Sequence, residues 1–299
     1  MIRKLILTGL SLVTAMALPQ AVNAETVYEK VARTGILTVG TTFDVVPYSY
    51  IDADGNLVGY SVDVVKLIQQ QLSAELGKDI IIQRLEAPDP ISRIPLLESG
   101  KIDIACDSQF TWERDRHVDF SISYGVSGIR VLSFAGSGLD EPDSLAGKRI
   151  AIVENSVGAD VMKLVQPQAT FVPVTSAPEA LQLLESKQVD AVGGDTVALA
   201  GLITAAENDE VFELAPFVPY ERFGLACMVP EGNSTFLNTV NYTIGTMAQG
   251  YLAEEQPYAD IINGWFGPNG LISLPEGLLQ DFFRSVLIQR AQVRPISDL

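Results

Sequence analysis

Two stretches of this chain carry the same pattern in the same order. Leu96-Leu97-Glu98-Ser99-Gly100-Lys101-Ile102-Asp103-Ile104 is echoed by Leu183-Leu184-Glu185-Ser186-Lys187-Gln188-Val189-Asp190-Ala191. Each copy reads as the end of a helix, a tight turn and a buried strand. Helix–turn–strand units look alike in many proteins, but agreement along the whole unit favours two similar lobes. Polar residues follow each strand, Asp107-Ser108 in the first copy and Asp195-Thr196 in the second. Ligands of open α/β sheets sit beyond the carboxyl ends of strands, so the repeat aims a polar cluster from each lobe at one shared cleft.

The rest of the pattern is consistent with α/β layers. Strands are expected at Ile36 to Gly40, Ile80 to Leu85, Ile102 to Cys106 and Val118 to Ser121. Helical spacing of Val62, Val65, Ile68 and Leu72 predicts a helix over Leu57 to Leu76, and Ile91 to Ser99 reads as a shorter one. The pattern then restarts, with strands at Arg149 to Val153, Thr170 to Val174 and Val189 to Val192. Helices alternate with them at Gly158 to Val165, Pro178 to Ser186 and Val197 to Glu207. A strand over Phe223 to Val229 precedes a largely helical segment, Ser234 to Gly264, and a last helix over Glu276 to Gln289.

The start of the chain belongs to neither lobe. Arg3 and Lys4 precede an apolar run from Leu5 to about Leu18, and Val22-Asn23-Ala24 supplies small residues at cleavage spacing. This predicts a signal peptide, residues 1–24, removed after Ala24. The run is shorter than the ~20 residues that span a bilayer. With no Cys near the cleavage point, a lipid anchor there is not expected, and the exported product is expected to be periplasmic.

Thirty-seven acidic residues against 20 Lys and Arg give a net charge of −17, and Arg3 and Lys4 leave with the signal. So acidic a chain repels nucleic acid and anionic lipid. Two cysteines, Cys106 and Cys227, form either one disulfide in an oxidising compartment or a pair of buried thiols.

Gly59-Tyr60-Ser61-Val62-Asp63, Gly100-Lys101-Ile102-Asp103-Ile104 and Thr111-Trp112-Glu113-Arg114-Asp115-Arg116-His117-Val118-Asp119-Phe120-Ser121 resemble the polar amino acid solute-binding proteins of ABC importers, family 3. The resemblance extends from Gly35-Ile36-Leu37-Thr38-Val39-Gly40 to Trp265-Phe266. It implies a periplasmic-binding-protein type II fold, two α/β lobes joined by two crossover strands around a ligand cleft. Residues 25–129 and 224–299 would form lobe one with the C-terminal helices, and residues 130–223 lobe two. The returning strand of that fold lies beside the third strand of lobe one, which implies a Cys106–Cys227 disulfide.

The resemblance also implies a site. Arg114 stands where the family holds the ligand carboxylate, and a guanidinium fork matches two oxygens as Lys cannot. Asp195 stands where the family pairs the ammonium; capping the helix after it is the ordinary alternative for Asp. Gln109 matches a hydroxyl-bearing contact, and either Asp107 or Ser108 beside it faces the ligand. Ser156 and Val157 open a lobe-two helix whose free N–H groups suit a carboxylate. Tyr48 or Tyr50 packs on the ligand or belongs to the core.

Specificity rests on departures from the family. Relatives that take acidic ligands have Arg where this chain has Thr42, and the glutamate/aspartate type has His near Ala177. Without them, and with only Arg93 retained, a second carboxylate in a closed cleft would lack partners, at several kcal/mol. A polar or neutral amino acid is therefore expected over glutamate, with Asp107 keeping a cationic one open.

The alternative is an enzyme on the same scaffold, a dehydratase or lytic glycosidase, which needs a positioned acid or base. Glu154 and Asp107 are the obvious carboxylates for that beyond Asp195, and His117 is expected to be structural or exposed. No metal spacing, nucleophile elbow or phosphate loop is found in the sequence, so no cofactor and no metal are expected. The expected partners are an amino acid and an ABC permease in the inner membrane, with no nucleic acid, and the chain is expected to be a monomer.

Overall fold

The structure is a computed structural model that describes residues 25–205, 211–275 and 277–289; the expected signal peptide and the ends of two predicted helices lie outside the described residues. Helix α1 (Val27–Thr34) opens on a capping box between Thr26 and Glu29. Strands β1 (Ile36–Thr41), β2 (Asp44–Val45), β3 (Ser49–Ile51) and β4 (Leu57–Val58) follow. Helix α2 (Tyr60–Leu76), β5 (Ile81–Glu86), α3 (Pro90–Glu98), β6 (Ile104–Gln109) and β7 (Val118–Phe120) complete the first run.

Strand β8 (Gly125–Phe134) leads into β9 (Arg149–Val153), α4 (Val157–Val165), β10 (Thr170–Val174), α5 (Ala177–Glu185), β11 (Ala191–Asp195), α6 (Thr196–Ala205) and β12 (Phe212–Ala215). Strand β13 (Glu221–Pro230) then returns to the first half. Helices α7 (Ser234–Leu252), α8 (Tyr258–Phe266) and α9 (Leu278–Gln289) close the chain.

One curled sheet runs through both halves in the order β10-β9-β11-β8-β13-β6-β1-β5. In each half the first strand is parallel to its two neighbours, and the third lies antiparallel to a long strand shared between the halves. Strands β8 and β13 pair antiparallel over Gly125–Ile129 and Glu221–Leu225, so the two crossings lie side by side. This is the two-lobed α/β arrangement that the repeat and the resemblance implied. The first half buries Leu37, Ile68, Leu72, Ile104, Phe236 and Ile244 in one cluster. The second buries Leu132, Ala151, Leu184 and Val192 on one sheet face and Ile150, Ile152 and Met162 on the other.

Several boundaries differ from expectation. Leu57 and Val58 do not begin α2, because they pair with Ile51 and Tyr50 of β3. Both repeat strands start late. Lys101 and Ile102 still donate to Leu96 O, and Gln188 and Val189 to Leu183 O, so the helix turn holds these residues out of the ladder. The segment from Ser234 to Gly264 is largely helical as expected, and it consists of two helices. It breaks at Ala253 to Pro257, where Pro offers no N–H to continue the helix. Among the described residues no helix is long and apolar enough to cross a membrane.

Candidate functional site

A cavity of about 180 Å³ lies between the halves, where the carboxyl ends of β6 and β11 face each other. Thr42, Tyr48, Arg93, Asp107, Gln109, Ser156 and Asp195 line it; Ser108, Arg114 and Val157 do not.

Asp195 is positioned by β11 and by the helix that follows. Its Oδ1 accepts from Ala198 N at 2.8 Å, so it caps the first turn of α6. Ser127 Oγ from the crossover strand donates to the same oxygen at 2.9 Å. Tyr48 Oη reaches across from the first half and donates to Oδ1 and Oδ2 at 3.2 and 3.4 Å. Burial pushes the carboxyl up to about 6, against the hydrogen bonds from Ala198, Ser127 and Tyr48 that favour the ionised form. Burial, with Asp195 adding to it, pushes the Tyr48 hydroxyl well above its usual value, which keeps it a donor. Of the two oxygens Oδ2 holds the weaker contact, and it is the one with room for a further donor. Tyr50, the other aromatic candidate, packs edge-on to Trp265 at 6.4 Å between centroids and does not line the cavity.

Arg114 sits in a short 3-10 turn, buried to 7 % exposure. Its Nη1 donates to Gln109 O at 3.0 Å and its Nη2 crosses to Asn155 O of the second half at 3.3 Å. Burial, and then the charge of Arg93 nearby, lowers its pKa from the usual value. The guanidinium thus lies between two stretches that line the cavity. Ser156 caps α4, accepting from Ala159 N at 3.1 Å and donating to Val153 O at 2.7 Å, so its hydroxyl is largely committed to the helix.

Arg93 is almost wholly enclosed at 1 % exposure. Its Nε donates to Ala87 O at 3.0 Å, and its Nη1 is 2.6 Å from Cys106 O and 3.4 Å from both Asp107 O and Ser108 Oγ. Through Nε and Nη1 it ties the stretch after β5 to β6. Cys106 is bonded to Cys227, as the resemblance implied. His117 is an exposed partner of Glu98, Nδ1 to Oε1 at 3.0 Å, and Glu154 is exposed and outside the cavity lining.

The sequence reading missed part of the wall. Val153, Val192, Ala198 and Leu199 give the second half an apolar face that Ile129 of the crossover strand extends, and Asp44 with Thr175 and Ser176 adds polar groups. Thr175-Ser176 was legible as a cap, since Ser176 accepts from Glu179 N. Ser127 carries no local signal; only the register of β8 brings it to Asp195. Gly201 of α6 is a further contact between the halves: a Cβ there would lie 2.2 Å from Val46 O. No group of acidic, His or Cys side chains suited to a metal ion is found among the described residues.

Residues 37–268 match the bacterial extracellular solute-binding proteins, family 3. The chain is 28% identical over 245 residues to the glutamate/aspartate import solute-binding protein of Salmonella typhimurium (strain LT2), covering 80% of this chain and 81% of that relative. It is 29% identical over 199 residues to the ABC transporter glutamine-binding protein of Bacillus subtilis (strain 168), covering 65% and 69%. Among solved structures, an ancestral arginine-binding protein bound to glutamine superposes with a TM-score of 0.66 at 26% identity, over 78% of this chain and 98% of that one.

Proposed function

The chain belongs to the bacterial extracellular solute-binding proteins, family 3, with the type II periplasmic-binding fold, and from that premise we propose that it captures a free polar or neutral amino acid for an ABC importer. The observation that carries this reading is a carboxylate on the cavity wall, Asp195, with the buried Arg114 guanidinium just behind the wall between Gln109 and Asn155, each bonded to the other half. An amino acid brings an ammonium to Asp195 Oδ2 and a carboxylate that takes over the Arg114 fork from Asn155 O. Both charges then leave water with a partner, which a dry cleft demands. Thr42 and Ala177 add no cation, so a second carboxylate finds only Arg93, whose Nε and Nη1 already serve backbone carbonyls.

The lobes are taken as residues 25–129 with 224–299, and 130–223. Closure is supported by the Tyr48–Asp195 and Arg114–Asn155 contacts. Export to the periplasm with cleavage after Ala24, action as a monomer and handover to an inner-membrane permease complete the reading. The ammonium role takes Asp195, and no catalysis is assigned to the site.

A thermal-shift screen against the common amino acids tests the reading. A ligand at about 100 times its Kd raises stability by about 2.7 kcal/mol, and a polar or neutral amino acid should do so. Turnover of the stabilising compound would transfer the site to the enzyme class.

A further inference from the structure

Strands β6 and β13 do not pair evenly. Ala226 lies opposite Ser108 and Met228 opposite Ala105, so Cys106 and Asp107 together face the single residue Cys227. This is a β-bulge, and a bulge re-aims a side chain that the regular alternation would direct elsewhere. Asp107 has φ 59, in the left-handed region that Asp tolerates better than most side chains. Its N–H leaves the ladder and donates to Tyr124 Oη at 2.9 Å. That hydroxyl donates in turn to Asp107 Oδ1 at 3.1 Å, and Ser61 Oγ lies 2.7 Å from it.

One carboxylate oxygen is therefore held. The other, Oδ2, is buried with no hydrogen-bond partner among the described residues, on a side chain that lines the cavity. A buried acceptor left in that condition is destabilising until a donor reaches it. Burial raises the carboxyl's pKa, against the charge of Arg93 and the hydroxyls of Ser61 and Tyr124, and none of these gives Oδ2 a hydrogen bond. Across the cavity, Ile129, Val153, Val192 and Leu199 form a wall suited to an aliphatic stem.

We propose that Asp107 reads the ligand's side chain, accepting a hydrogen bond on Oδ2 from an N–H group at the end of an aliphatic stem and turning away a carboxylate. The assignment rests on the amino acid reading above and narrows it to side chains ending in an amide or a cation. Arg93 then has its counter-charge in Asp107 and is not offered to an acidic ligand.

The test is calorimetric titration of wild type and Asp107→Asn with glutamine, lysine, glutamate and leucine. Wild type should bind glutamine or lysine at least about tenfold more tightly than glutamate or leucine. A preference for glutamine assigns the amide and a preference for lysine the cation. Asn tolerates the left-handed backbone, so Asp107→Asn keeps the shape while it removes the charge and turns one acceptor oxygen into an NH2 donor; the lysine-to-glutamate affinity ratio should fall by about tenfold or more. A wild type that favours glutamate or leucine overturns the assignment and leaves amino acid capture standing, as does an unchanged ratio in the variant. Wild-type ranking alone decides if the variant fails to fold. A wild type that binds no amino acid overturns the function itself.

Discussion

The two copies of the helix–turn–strand unit are built alike down to single hydrogen bonds, yet they end differently. Ser99 Oγ donates back to Pro95 O and Ser186 Oγ to Gln182 O. Gly100 and Lys187 both take left-handed backbone, at φ 68 and φ 59. Asp103 N–H bonds Thr38 O and its Oδ2 accepts from Thr38 N; Asp190 makes the same exchange with Arg149. The surroundings then diverge. The Asp103 side chain is 1 % exposed and ion-paired to Lys30, whereas Asp190 is 34 % exposed and paired to Arg149 at the surface. The first strand closes on a disulfide and a bulge, the second on Asp195 capping α6. A shared frame thus carries two kinds of strand end, one locked covalently and one held by hydrogen bonds that a ligand can rearrange.

The largest expected effect breaks the lock. Cys227→Ser opens a loop of 121 residues that encloses the whole second half, and unfolding in denaturant should show a loss of about 4 kcal/mol. Unchanged stability would mean that β13 is held to β6 by packing and backbone pairing alone. Next comes the matched pair of aspartates. Asp103→Ala leaves Lys30 and a backbone N–H without their partner and should cost about 3 kcal/mol, against under about 1 kcal/mol for the exposed Asp190→Ala. Equal losses in the two variants would contradict the contrast in burial.

The second strand end should respond to pH. The Asp195 carboxyl lies at about 6 against a usual 3.8, so its contribution to stability is full at acid pH and is lost as pH rises from about 4 through about 6. The loss amounts to about 3 kcal/mol for two pKa units. An ammonium at Oδ2 favours the ionised form. Amino acid affinity should therefore fall by up to about tenfold for each pH unit below about 6 and level off above it. Titrations from about pH 4.5 to 8 check this, and a flat profile would remove Asp195 from the ammonium site. The smallest effect is at the turn. Lys187→Gly should stabilise by about 1 kcal/mol, because Gly100 holds the same left-handed position without a side chain to strain it.

The repeat made much of this frame legible, because Leu, Ile and Asp at fixed spacing dictate burial on either side of the sheet. The Cys106–Cys227 bond followed from the resemblance together with the position of the return strand. Less legible were features set by long-range register. The bulge at Asp107 depends on where β13 meets β6, more than a hundred residues away in sequence. Arg93 reads as a lone cation near the cleft, and only the fold shows it committed to the carbonyls of Ala87 and Cys106. Asp195 had two readings, cap and ligand partner. The cap is made through Oδ1, which leaves Oδ2 for the other role.

The central claim is that the halves each hold one end of a single amino acid. Calorimetric titration of the stabilising ligand into wild type, Arg114→Ala and Asp195→Ala tests it most directly. One ligand per chain should bind to wild type, with affinity falling by at least about a hundredfold in each variant while both stay folded. Tight binding retained in both variants would contradict the account.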